Sequence, residues 1–224
     1  MKVIVFDTET TGLPADYNAS FTDSSKWPHI IQLAYIVFDT ETKEILDYSD
    51  KIIKLDESVP ISPESIAVHK ITRERSENEG IPMKEALKCF LEWIKTIDVI
   101  IAHNISFDKK MVIVECCRNQ INNGFCFYRD RKPIKEFCTM KNSINICKIP
   151  TVNKKTGQTY NKYPTLTELH THLFGVAPKG THNAIADVMI CLRVYIKLTD
   201  LYDIANDDEV KLVFRTLFNS YCVQ

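Results

Sequence analysis

Asp7 and Glu9 flank Thr8 directly after the apolar run Val3-Ile4-Val5-Phe6, near the start of a chain of 224 residues. The run reads as a strand, and the strand period of two sends both carboxylates to the same face. Two like charges closing on a core raise each other's pKa, a cost that a divalent cation removes. A hard ion such as Mg²⁺ takes carboxylate oxygens and keeps some of its waters. Taken alone, this pair of acids at a strand end also fits a solvated turn.

Two more acids and a histidine widen the set. Asp108 closes His103-Asn104-Ile105-Ser106-Phe107-Asp108, at the start of a helix that follows the short apolar strand Val99–Ala102. There its carboxylate meets the positive end of the helix dipole, so helix stabilisation is one sufficient role. Asp187 lies inside the apolar run 184–196, where nothing in the pattern provides a solvated face, and buried charges must be paired or metal-bound. His182 precedes it by five positions, roughly 140° of arc on a continuous helix. The two side chains converge only if His182 sits in the loop before that helix, with Thr181 or Asn183 as its cap.

The elements that must position these groups are legible in outline. Lys2–Thr8 reads as a doubly covered central strand, with Val3, Val5 and Asp7 on one face and Ile4 and Phe6 on the other. Ile30–Phe38 and Glu44–Lys54 read as strands joined by a hairpin loop at 39–43, hence antiparallel. Ser62-Pro63 starts a short helix, and Pro82–Ile97 is amphipathic through Ala86, Leu87, Phe90, Leu91 and Ile94. Ile105–Ile121, Leu166–Phe174 (stopped by Gly175) and the nearly all-apolar Asn183–Leu198 read as helices, and the tail from Thr199 as one more. The segment 14–28 is an irregular excursion, 122–163 is the least legible stretch, and 153–157 makes a turn. Strands first, then helix and strand in alternation, predict an α/β fold with a mixed sheet.

Composition bounds the class. With 45% hydrophobic and 25% charged residues the chain has an ordinary globular make-up, sufficient for one well-buried core. One domain is expected: residues 1–200, with 201–224 as a helical tail packed on it. No apolar stretch approaches the roughly 20 residues that span a bilayer, so an intracellular, soluble protein without a membrane partner is expected. The eight cysteines form no CxxC pair and no zinc-like spacing. Reduced structural thiols are expected, with Cys89 and Cys191 inside apolar helical patterns.

A net charge of −1 announces no global attraction to nucleic acid, but its distribution is uneven. From Arg129 to Lys162 the nine basic residues are opposed only by Asp130 and Glu136. Such a stretch suits a phosphate backbone, and equally a solvated lysine-rich surface.

Taken together, Asp7-Thr8-Glu9-Thr10-Thr11-Gly12-Leu13, Asn104-x-x-Phe107-Asp108 and His182-x-Ala184-x-x-Asp187 resemble the three ordered motifs of the DEDDh 3′-5′ exonucleases. That DnaQ-like family includes ribonuclease T and the proofreading subunit of the bacterial replicative polymerase. The motifs span Asp7 to Asp187, and the segments 65–72 and 166–175 add softer matches. The resemblance implies a ribonuclease H-like fold, with a mixed central β-sheet flanked by α-helices. It implies hydrolysis from the 3′ end of single-stranded DNA or unpaired 3′ termini, with two divalent ions (Mg²⁺, replaceable by Mn²⁺) and release of nucleoside 5′-monophosphates.

By the same resemblance Asp7, Glu9, Asp108 and Asp187 hold the metals, and His182 takes a proton from the attacking water. Thr8 and Thr10 contact the terminal sugar, Leu13 wedges between the last two bases and Phe107 stacks near them, with His103 and Asn104 also in the substrate site. Trimming of RNA 3′ ends fits the same motifs, because recognition of a 2′-hydroxyl depends on pocket shape. A non-catalytic binding module is the third reading, which the intact acids oppose. A polymerase acting in trans and a homodimer are the partners the resemblance suggests. Two departures from the family pattern are the long 14–28 excursion and the basic 129–162 segment, expected to guide the non-scissile strand.

Overall fold

The computed structural model describes residues 1–121, 126–200, 202–206 and 212–222. Parts of the illegible stretch (122–125) and of the expected tail (201, 207–211, 223–224) lie outside them. Five strands make the central sheet: β1 (Lys2–Thr10), β2 (Ile30–Asp39), β3 (Glu44–Ile52), β4 (Val99–Ala102) and, after the two-residue strands β5 (Tyr128–Arg129) and β6 (Lys132–Pro133), β7 (Lys135–Cys138). Their spatial order is β3-β2-β1-β4-β7. β2 runs antiparallel to β1 and β3, while β1, β4 and β7 are parallel. This is the expected mixed sheet flanked by helices.

Between β3 and β4 come α1 (Pro63–His69), α2 (Arg73–Glu79) and α3 (Met83–Ile94), and α4 (Ile105–Arg118) follows β4. After β7 lie α5 (Thr139–Asn142), α6 (Ile144–Cys147), the hairpin of β8 (Pro150–Val152) and β9 (Thr159–Asn161), α7 (Leu166–Phe174), α8 (Ala184–Thr199) and α9 (Leu212–Cys222). Ile4 and Phe6 pack with Phe90 of α3 and Met111 of α4 in one buried cluster. Val3 and Val5 pack under α8, which α9 covers through Phe214, Phe218 and Cys222. The alternation along β1 thus feeds two cores, one on each face of the sheet.

Caps follow the chemistry of the sequence. The Ser62 hydroxyl accepts from Ser65 N with Pro63 in the first turn of α1, and Thr165 and Glu168 form a reciprocal capping box on α7. Gly175 ends α7 at φ +74°, a left-handed conformation that glycine adopts without strain.

Two features depart from expectation. β7, the fifth strand, was not foreseen: four residues rich in charge at a sheet edge carry almost no periodic signal. Cys89 is exposed, because the buried stripe of α3 (86, 87, 90, 91, 94) leaves it on the solvent side. Cys191 is buried as expected, and no disulfide joins any of the eight cysteines. Among the described residues, no helix is long and apolar enough to cross a membrane.

Candidate active site

The register of β1 opens the site. Its parallel pairing with β4 ends at Val5–Ile101, so Asp7 and Glu9 run on past β4 at the carboxyl edge of the sheet, where α/β folds place their ligands. The β1–β2 register shifts between Glu9 and Thr10, where Ile31 is an extra residue on β2. One ligand oxygen each of Asp7, Glu9 and Asp187 lie within 4.8 Å of one another. Three hard oxygen donors so close suit a divalent cation such as Mg²⁺ and not a soft metal.

Asp187 reaches the cluster from the first turn of α8, on the sheet face opposite α4. His182 stands in the loop before α8, its backbone at φ +68°, and its N–H donates to Asp187 Oδ2 at 2.9 Å. That is the position convergence requires. Asn183 occupies the cap position but its side chain makes no capping bond, and Gln32 Oε1 accepts from Ala184 N instead at 3.2 Å.

Asp108 arrives from the other face. It is buried in the first turn of α4, and its Oδ1 accepts from Thr8 N at 3.1 Å and Thr8 Oγ1 at 2.8 Å. A place at the start of α4 is thus compatible with a place next to Asp7 and Asp187.

Electrostatics mark the four acids as a unit. Burial, then Asp108, Asp187 and Glu9 in turn, raise Asp7 well above the ordinary carboxylate range. Burial, then the charges of Asp187 and Asp108, push Glu9 up to about 8. Burial raises Asp108 to about 7 against the opposing Thr8 bonds, and raises Asp187 to about 7 against the His182 amide. A cation among them would offset burial and mutual repulsion and favour the ionised forms.

Several of the residues expected to meet substrate line hollows beside this cluster. A hollow of about 660 Å³ is lined by Glu9, Thr10, Leu13, His69 and Phe107 among others, and a second of about 690 Å³ by Leu13, Tyr17, Asn104, Phe107, Lys110 and His182. Leu13 and Phe107 are the two residues common to both, and Leu13 is 76% exposed. Asn104 and His182 also line a third hollow with Asp7, Asp187, Tyr163 and Thr165. The Thr10 hydroxyl donates to Gly12 O at 2.7 Å, bracing the turn that presents Leu13.

His103 is engaged with protein at both ring nitrogens: Nδ1 with Thr139 Oγ1 at 2.9 Å and Nε2 with Pro164 O at 3.1 Å. A carbonyl only accepts, so Nε2 carries the proton, and burial lowers the ring's pKa to about 4. The 14–28 excursion borders the cleft through Tyr17, whose carbonyl accepts from Lys110 Nζ at 3.0 Å.

Two residues at the site escaped sequence reasoning. Gln32, 3% exposed and bonded to both Ala184 and Asp50, was signalled by a lone amide in an apolar strand. His69, buried beside Glu9 and Leu13 in the first hollow, accepts Ile71 N at Nδ1. A histidine ending a short helix gave no comparable signal.

The family model described as Exonuclease, of ribonuclease T type, matches residues 4–195. The chain belongs to this family. The DEDDh resemblance carried by the three motifs is thereby borne out, and the carboxylate cluster suits the divalent metals such exonucleases use. Solved structures agree on the fold. E. coli exonuclease I in complex with a dT13 oligonucleotide superposes with a TM-score of 0.64 at 16% identity, over 88% of this chain and 41% of that one. The zinc-bound E. coli exonuclease I–single-stranded DNA complex gives 0.65 at 15% identity, over 98% and 42%. A moderately thermophilic exonuclease I from Methylocaldum szegediense gives 0.64 at 18% identity, over 98% and 42%. This chain thus spans less than half the length of those enzymes. No curated protein matches it in sequence.

Proposed function

We propose that this chain is a 3′-5′ exonuclease that hydrolyses single-stranded DNA or unpaired 3′ termini to nucleoside 5′-monophosphates with two divalent ions, Mg²⁺ by preference and Mn²⁺ as a substitute. The observation that carries the reading is the convergence of Asp7, Glu9 and Asp187 within 4.8 Å, with Asp108 and His182 beside them. Asp7, Glu9 and Asp187 would hold one ion, and Asp7 with Asp108 the other. When bound, such ions polarise phosphate oxygens and lower the pKa of water.

The chain's own groups do the rest. His182, exposed at the cleft on a fixed backbone, accepts the proton of the attacking water. Leu13 and Phe107, which line both hollows of about 660 and 690 Å³, part the last two nucleotides. Asn104 forms the wall on the His182 side. Every one of these groups comes from this single chain. The oligonucleotide complexes of exonuclease I support the choice of a single strand.

The test uses matched DNA and RNA strands with either a free or a blocked 3′ hydroxyl, and measures released mononucleotides. Release from free 3′ ends alone, faster for DNA and lost in His182→Gln, is expected. Faster RNA release would make the chain an RNA 3′-end trimmer, and internal cleavage of blocked strands would overturn the exonuclease reading.

A further inference from the structure

The basic stretch from Arg129 to Lys162 divides in two. Arg129 Nη1 donates to Ile97 O at 2.9 Å, and Lys135 pairs with Val99, so Arg129 and Lys135 sit where β4 begins, at the end of the sheet away from the carboxylates. The second half starts after Cys138, which pairs with Ala102 at the carboxyl edge. From Thr139 to Thr167 the sequence has five lysines and no acid. Lys162 is neutralised by Glu168 at 2.6 Å, but Lys141, Lys148, Lys154 and Lys155 are exposed.

This segment is a built arm. His103 ties its two ends together, Thr139 at one and Pro164 at the other, one residue from Asn104 in the cleft. β8 and β9 pair from Pro150–Asn161 to Val152–Thr159, and Lys162 N donates to Ile149 O at 2.9 Å. At the tip the Asn153 side chain accepts from Lys155 N at 2.9 Å and Gly157 closes the turn at φ +71°, which displays Lys154 and Lys155. Two tyrosines are left uncovered: Tyr160 is 53% exposed on β9, and Tyr163, 52% exposed, lines the hollow that holds Asp7, His182 and Asp187.

We infer that the β8–β9 arm is a second binding site, which takes the single-stranded polynucleotide beyond the nucleotides seated at the carboxylates. Unpaired lysines neutralise its phosphates, and exposed tyrosine faces stack on unpaired bases without regard to sequence. A duplex would offer the tyrosines no free base, so the occupant is a single strand. The arm converts a site for a strand end into one that discriminates by strand length. The inference rests on the exonuclease reading for the orientation of the strand but not for its binding.

The test compares the wild type with a Lys148→Ala/Lys154→Ala/Lys155→Ala triple variant and with Tyr160→Ala, none of which touches the carboxylates. Circular dichroism and melting temperature would show that each folds. Anisotropy with labelled strands of about 20 nucleotides should show affinity at low salt falling tenfold or more in the triple variant, and the slope of log affinity against log salt flattening by about two. Tyr160→Ala should lose about fivefold or more with an unchanged slope. Hydrolysis of a strand of about three nucleotides should be unaltered, because none of the four substituted residues lines the hollows around the carboxylates.

Equal losses on DNA and RNA, or loss on one alone, both keep the arm and name its strand. Unchanged affinity for long single strands, or a duplex bound better than a single strand, would overturn it. Absence of hydrolysis by the wild type with lysine-dependent strand binding intact would sink the exonuclease reading and leave the arm standing.

Discussion

Thr8 donates twice to one oxygen of Asp108, from its amide at 3.1 Å and its hydroxyl at 2.8 Å, and so ties β1 to the first turn of α4. The strand that carries two acids thus also holds the third in place. Thr8→Val keeps the shape and removes the hydroxyl bond. A hydrogen bond to a charged group contributes about 1.5–3 kcal/mol, so Mn²⁺ affinity should fall about tenfold to a hundredfold while the protein stays folded. Calorimetric titration of both forms would check it, and equal affinities would remove Thr8 from the positioning of Asp108.

Leu13 separates stability from function. Its side chain is 76% exposed, so Leu13→Ala should leave the melting temperature within about a degree. The loss should appear against substrate, where a base contact of about 1–3 kcal/mol predicts a fall in kcat/KM of roughly five- to a hundredfold. A variant with unchanged kcat/KM would show that Leu13 parts no bases.

Metal binding and pH are coupled through the four acids. Their ordinary values lie near 4, whereas Glu9 is raised to about 8 and Asp108 and Asp187 to about 7. An acid raised in the fold binds more protons folded than unfolded between those values. Its contribution is therefore fully present below about pH 4 and is lost as pH rises through about 7 to 8 in metal-free protein. Divalent ions require the ionised forms, so their stabilisation grows across the same window. Saturating Mg²⁺ should raise the melting temperature by several degrees more at about pH 8 than at about pH 5. Equal shifts at both pH values would contradict a site made of these carboxylates.

Much of this was written in residue spacing. The alternation of Val3, Val5 and Asp7 against Ile4 and Phe6 announced a two-sided strand, and the structure gives it a separate core on each face. Asp187 was conspicuous because an apolar helix offers an acid no solvent, and His182 had to leave that helix to meet it. Other features depend on contacts between distant segments that no local period encodes. β7 is held by its pairing with β4 and not by its own pattern. The bond from His103 to Pro164 spans 61 residues. The sorting of basic residues to opposite ends of the sheet follows from where β4 starts and stops.

The most direct test of the central claim uses a 5′-labelled single-stranded DNA with Mg²⁺, with chelator, and with folded Asp7→Asn and Asp187→Asn proteins. The account predicts a ladder that shortens stepwise from the 3′ end only in wild type with Mg²⁺, with both substitutions lowering the rate by at least about a hundredfold. A ladder that persists with chelator or in either variant, or an intact strand with folded wild type and Mg²⁺, would contradict it.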